Sequence, residues 1–202
     1  MARARALTKA FYDRDSLEVG PELLNKVLVG NGVSARLVEV EAYRATADPG
    51  SHSFRGRTPR NSVMFGPAGV LYVYFSYGNH WCMNVTCGPG ATANAVLFRA
   101  AAPVRGLEVM RARREPRPLA KPLRDRDLAA GPGRLGQAFA VDRSYNGISL
   151  ISGALRIVDD GTPPPPHPGI SARIGLGVGK GEYLPYRFYV PNDPNISRPP
   201  RQ

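Results

Sequence analysis

Lysine is nearly missing from this basic chain. Only Lys9, Lys26, Lys121 and Lys180 supply it among 27 basic residues, and the other 23 are arginine. Cysteine is scarcer still, with Cys82 and Cys87 alone. An odd separation on one strand turns their side chains to opposite faces, which argues against a disulfide. There is no CxxC pair and no Cys/His cluster, which argues against a structural zinc site, and a reducing compartment fits. No apolar run approaches the length of a membrane span, and the basic start MARARALTKAF lacks the apolar core of a signal peptide. What remains is 202 residues, 43% hydrophobic and 21% charged, the composition of an ordinary soluble globular protein with one good core. The formal charge of +11 is not ordinary. It points to a polyanionic partner, nucleic acid before membrane, and guanidinium forks suit phosphate geometry.

The most organised stretch is GVLYVYFSYGNHWCMN, residues Gly69 to Asn84. Leu71, Val73 and Phe75 alternate with Tyr72, Tyr74 and Ser76; Tyr77-Gly78-Asn79-His80 is turn chemistry; Trp81, Met83 and Val85 resume the alternation. This predicts a β-hairpin with phenols on its polar face and Tyr77 at its tip. Such a ring is either a core residue under a loop or a wedge and stacking platform for a nucleobase.

The chain before it predicts a helix over Ser16 to Leu28 with Pro21 in its first turn. A hairpin follows through Gly30-Asn31-Gly32 into Ala35 to Ala42. On that second strand Glu39, Glu41 and Tyr43 share one face. Paired acids are ordinarily a solvated face; on a partly buried strand the other reading is a general base tuned by its pocket. Periodicity then vanishes from Arg44 to Ser62, a loop carrying His52, Arg55, Arg57 and Arg60 with small polar residues, suited to phosphate or else disordered.

Beyond the hairpin, Ala93 to Ala100 reads as an apolar strand whose Arg99 must pair with something, Glu41 or a phosphate being the candidates. A helix is expected over Pro103 to Arg114, with Arg111, Arg113 and Arg114 outward, and a short one over Arg124 to Ala130. Gly131-Pro132-Gly133-Arg134-Leu135-Gly136 matches GxGxxG formally, but no strand precedes it and no βαβ unit surrounds it. A helix starting near Gly133 could still offer its amides and Arg134 to a DNA phosphate. Strand material over Ile148 to Val158, a stiff proline run to Pro168, a glycine-rich turn from Arg173 to Gly179, a strand from Arg187 to Val190 and a frayed basic tail from Pro191 complete the reading.

Several blocks occur in an order that carries a resemblance: VEVEAY (Val38 to Tyr43), His52-Ser53, Thr58-Pro59-Arg60-Asn61, LYVYFSYG, CMN, Leu97-Phe98-Arg99-Ala100, GLEVMRARR, DRDLAAGPGRLGQAFAV, ARIGLG and RFYV. Over nearly its whole length the chain resembles the alkyladenine DNA glycosylases, also called 3-methyladenine or methylpurine DNA glycosylases, in a bacterial version. The resemblance implies a single α+β domain with a curved antiparallel sheet, a hairpin inserted toward DNA and peripheral helices. It implies removal of damaged purines from duplex DNA by hydrolysis, with no metal, no cofactor and no lyase step. Glu41 would be the base, with Arg99 and the main chain at Ile174 holding the water. Tyr43, His52 and Tyr74 would enclose the extruded base, Asn84 would exclude guanine's exocyclic amine, and Tyr77 would fill the gap in the duplex. Arg55, Arg57, Arg60, Gly133 and Arg134 would meet the DNA backbone. A cytoplasmic, nucleoid-associated monomer with no obligatory protein partner is expected. A nucleic-acid-binding module without chemistry would account for the charge and the rings, but it leaves Glu41 without a task.

Overall fold

The structure, a computed structural model, describes residues 4–76, 78–115, 117 and 121–199. Tyr77 lies outside the described residues. The strands are β1 (Arg5–Ala6), β2 (Val27–Gly30), β3 (Val33–Arg44), β4 (Leu71–Ser76), β5 (His80–Cys87), β6 (Asn94–Arg105), β7 (Arg156–Asp159), β8 (Gly169–Ser171) and β9 (Arg187–Tyr189); the helices are α1 (Lys9–Tyr12), α2 (Ser16–Leu23), α3 (Leu107–Arg114) and α4 (Pro132–Ala138). All strand pairings are antiparallel, in the order β1-β7-β2-β3-β6-β5-β4, with β9 added to β3 beyond β2 and β8 added to β9. The α+β class with a curled antiparallel sheet is the one expected.

Residue alternation across four strands sets the layout. Leu71, Val85, Val96 and Ala42 pair in one row and are buried in the main core, together with Phe98, Met83 and Leu28. The next row, Tyr72, Asn84, Leu97 and Glu41, turns to the other face. A second hydrophobic cluster there gathers Met64, Tyr72, Ala93 and Ala95. On β6 the register passes from Ala100, opposite Glu39, to Phe98, opposite Val40, so Arg99 is the extra residue of a β-bulge. The bulge sets Arg99 against the gap between Glu39 and Glu41.

The helices are shorter than the periodicity suggests. The Asp15 carboxylate caps α2 by accepting from the Leu17 amide at 2.9 Å. Pro21 lies inside the helix rather than in its first turn, and the helix stops at Leu23 because Leu24 is extended and Asn25 is left-handed (φ 67°). Residues 27 and 28, expected in that helix, belong to β2. Pro103, expected in a helix, lies in β6 near its end, beside a register shift where a missing N–H is tolerated; α3 begins only after Gly106 (φ 76°). Arg111, Arg113 and Arg114 do not point freely outward: they donate to the carbonyls of Leu123, Ala138 and Leu128. Residues 125–127 form a single 3-10 turn, and of the strand expected over 148–158 only 156–158 enter a ladder, with Ser149 making an isolated bridge to Val70.

Glycines let α4 lie directly on β5. A Cβ at Gly133 would meet the His80 ring at 2.5 Å, and one at Gly136 would meet the Trp81 carbonyl oxygen at 2.2 Å. The Trp81 obstacle is backbone and cannot rotate aside. Gly136→Ala is therefore expected to destabilise the protein by about 1–3 kcal/mol, the usual range for overpacking. Gly177→Ala, with open space and no left-handed φ, is the neutral control. Denaturant midpoints measure both, and equal midpoints would mean that α4 can lift from the sheet at little cost.

Candidate active site

The 45–61 loop has no periodic signal because polar side chains, not a ladder, hold its backbone. The Asn61 amide group donates to the carbonyls of His52 (2.8 Å) and Gly56 (3.0 Å), and its oxygen accepts from the Thr58 amide at 2.6 Å. Asp48 accepts from the amides of Arg44 and Gly50 and forms a fully buried two-point pair with Arg173, at 2.5 and 2.7 Å. The loop is ordered, and it brings His52 to the face that carries Tyr72 and Asn84. The His52 Nδ1 lies 3.0 Å from the Tyr72 hydroxyl, and its ring meets Tyr74 edge-on with centroids 4.6 Å apart.

Between this loop, the sheet face and the turn at Ile174 to Leu176 lies a cavity of about 270 Å³. Its size is close to the lower end of ligand clefts, roughly 300 Å³. Glu41, Arg99, Ile174, Tyr43, His52, Tyr74 and Asn84 all line it. Seven residues scattered over more than 130 positions of sequence are thus brought to one hollow.

Glu41 is fully buried at the cavity wall. Its Oε1 accepts from the Ile174 amide at 2.7 Å and lies 3.2 Å from Arg99 Nη1, and its Oε2 accepts from the Tyr43 hydroxyl at 2.9 Å. Burial, then the neighbouring Glu41, pushes the Tyr43 phenol far above its ordinary range, so it stays protonated and donates. Burial likewise raises Tyr74, and it pushes Tyr72 up to about 12. Desolvation between the tyrosines, with the nearby Arg60 charge, holds His52 below the usual histidine range, and the imidazole is neutral at neutral pH. The Arg99 guanidinium loses hydration on burial, but Glu41 and Glu39 outweigh that and keep it charged.

Asn84 is buried, with its amide group donating to the Tyr72 carbonyl at 3.1 Å. Arg60 reaches the same cavity, with its guanidinium 5.9 Å from the Tyr74 ring centre, while Arg55 and Arg57 are exposed on the loop. Arg134 is exposed on α4, whereas Gly133 is buried under His80. Pro132, at the start of that helix, lines the cavity.

The sequence reading passed over four residues. Arg173 stacks on Tyr43, 4.5 Å from its ring centre, and pairs with Asp48 directly beside Ile174. Glu39, noted only as sharing a face with Glu41, accepts from both Arg99 and Arg187 at 2.8 Å. Burial alone would raise Glu39, but those two guanidiniums hold it below the ordinary carboxylate range. The signal available was a charge set among apolar strand neighbours, Val38 and Val40 for Glu39 and Phe188 for Arg187.

The hollow thus joins a tethered acid to an aromatic wall in a strongly basic α+β chain. The chain belongs to the methylpurine-DNA glycosylase (MPG) family, whose model matches residues 10–194. It is 48% identical over 196 residues to a Burkholderia lata protein, covering 96% of this chain and 91% of the relative. It is 44% identical over 199 residues to one from Streptomyces avermitilis (95% and 90% covered). It is 43% identical over 206 residues to one from Koribacter versatilis (98% and 95% covered). Each of these relatives bears the name "Putative 3-methyladenine DNA glycosylase". Membership makes this chain a DNA glycosylase of the alkylated-purine class, with DNA as its substrate. Among the described residues no helix is long and apolar enough to cross a membrane, and no group of three or more His, Cys, Asp and Glu could hold a metal ion.

Proposed function

We propose that the protein draws an alkylated or deaminated purine (3-methyladenine, hypoxanthine or ethenoadenine) out of duplex DNA and into the cavity. There it hydrolyses the N-glycosidic bond with a water activated by Glu41, as the first step of base excision repair. The observation that carries this is the bonding of the Glu41 carboxylate. A carboxylate has about four lone-pair sites. Ile174 and Tyr43 donate to one site on each oxygen and Arg99 stands as an ion pair against Oε1, which leaves a site on Oε2 to accept from a water.

As the bond to the base breaks, its electrons leave with the purine and the sugar becomes oxocarbenium-like. The water oxygen attacks that carbon and passes its proton to Glu41. 3-Methyladenine is cationic while joined to the sugar, so the faces of Tyr43 and Tyr74 favour it by roughly 0.5–2 kcal/mol per ring, whereas the neutral hypoxanthine and ethenoadenine gain only stacking. The neutral His52 adds no repulsion. Asn84, fixed by its bond to Tyr72, stands where an exocyclic amine on guanine would collide. Extrusion costs a few kcal/mol; Tyr77, between Ser76 and Gly78 of the hairpin, stacks in the vacated space to offset it. Arg55, Arg57, Arg60, Arg134 and the main chain at Gly133 meet the backbone. No lysine lines the cavity among the described residues, which supports hydrolysis without a Schiff-base step.

The test is incubation with duplexes carrying each lesion in buffer containing a metal chelator. Free base is expected, together with an intact abasic strand, no borohydride-trapped adduct, and a rate under limiting enzyme that falls steeply with salt. Binding to lesions without release of base would leave only the stacking module, and a trapped adduct would overturn the hydrolytic step.

A further inference from the structure

We propose that Ser197 is a positioning residue for base excision: its hydroxyl orients the Arg99 guanidinium and, through it, the Glu41 carboxylate. This rests on the reading of Glu41 as the base. The segment after Pro191, expected to fray, is docked as far as it is described. The Ser197 amide donates to Glu39 Oε2 at 2.5 Å, and the Arg198 carbonyl accepts from Arg187 Nη2 at 2.6 Å. The reason is electrostatic: Glu39 is fully buried, and a buried carboxylate needs every donor within reach.

The Arg99 guanidinium is fastened at all three of its nitrogens. Nε donates to Glu39 Oε1 at 2.8 Å, Nη1 lies 3.2 Å from Glu41 Oε1, and Nη2 donates to Ser197 Oγ at 3.2 Å. Ser197 Oγ donates its own proton to Glu39 Oε1 at 2.9 Å, so its roles as donor and acceptor are both in use. Two acids, Glu39 and Glu41, and two bases, Arg99 and Arg187, balance in charge. Among the described residues, Ser197 is the uncharged side chain that joins an acid and a base of this set. Without its hydroxyl, Nη2 loses its acceptor. The planar fork is then fixed only at Nε on the side away from Glu41, and Nη1 is free to swing off the catalytic carboxylate.

The experiment is single-turnover excision from a lesion-bearing duplex, with affinity and melting temperature measured alongside. Ser197→Ala is expected to slow excision about tenfold, since a misplacement of about 1 Å at a reacting group can cost roughly a hundredfold. Affinity should stay near wild type, and the melting temperature should fall by only a few degrees, because two partly buried side-chain bonds are lost while the main-chain bond from residue 197 to Glu39 survives. Ser197→Thr, which keeps the hydroxyl, should restore the rate, and Ser197→Cys should fall between. A wild-type rate for Ser197→Ala, a loss shared by Ser197→Thr, or a loss matched by weaker binding would each overturn the role. Glu41→Gln run in parallel separates the failures. If that protein is active, the reading of Glu41 falls and this one with it; if it is inactive beside a fully active Ser197→Ala, only the role of Ser197 falls.

Discussion

Glu41→Gln should slow base excision by about 10²–10⁴-fold, the range supplied by a positioned general base. In barrier terms that is about 3–5 kcal/mol. Glutamine keeps the shape and one oxygen to accept from the Ile174 amide, but its amide has no basicity to take a proton from water and no charge to face the developing cation. Affinity for a damaged duplex should change little, because stacking on Tyr43 and Tyr74 and the arginine surface are left intact. The substitution also leaves the buried set of Glu39, Arg99 and Arg187 with one positive charge in excess, so some loss of stability is expected. Glu41→Asp separates the two effects. It keeps the charge and hence most of the stability, yet draws the carboxylate back by one methylene from the Ile174 amide. Slow excision by a stable Glu41→Asp protein would show that position as well as charge matters. Wild-type excision by Glu41→Gln, measured in single turnover with binding verified, would remove Glu41 from the reaction.

What the sequence makes legible here is what period-two alternation can carry. The β4–β5 hairpin, the facing of Tyr72 and Tyr74 away from Leu71 and Val73, and the placing of Glu41 beside Tyr43 all follow from which side a residue takes on a strand. The bulge at Arg99 is invisible to that logic, because one extra residue leaves no mark in the pattern and shows only once the partner strand is known. The loop over 45–61 is invisible for a different reason. Its order comes from single side chains, Asp48 and Asn61, each lashing backbone groups close in sequence, and Asp48 also reaches a partner 125 residues away. The formal GxGxxG stretch is instructive in the other direction. Its second and third glycines serve close packing of α4 on His80 and Trp81, contacts between residues some fifty positions apart that no local motif encodes. The docked tail is the same case: a serine and a main-chain carbonyl in a proline-rich stretch carry no sign that a buried glutamate and arginine wait for them.

Loss of the Asp48–Arg173 pair is expected to damage the fold severely. Both side chains are completely buried, and Arg173 already has one guanidinium hydrogen, on Nε, without a partner. Asp48→Asn removes the counter-charge of Arg173 and leaves its guanidinium one amide oxygen at residue 48 beside the carbonyls of Ala42 and Gly181, at 3.0 and 3.4 Å. Breaking a buried pair from one side costs about 3–5 kcal/mol. At roughly 2–4 °C per kcal/mol for a chain of this length, the melting temperature should fall on the order of 10 °C. The consequence reaches the chemistry because Arg173 covers the Tyr43 ring and precedes Ile174, whose amide grips Glu41. Excision measured well below the melting point should therefore also slow. Removing both partners decides between scaffold and site. Asp48→Leu with Arg173→Met leaves no uncompensated charge, so stability should return in part, short of the wild type by the lost bonds from the Arg44 and Gly50 amides. Excision should not return with it, since methionine neither bonds the Ala42 carbonyl nor lays a planar cation on Tyr43. A double variant that regains full excision would reduce the pair to a fastening for the loop. An Asp48→Asn protein that melts with the wild type would mean that the Arg173 charge is not confined as its surroundings imply.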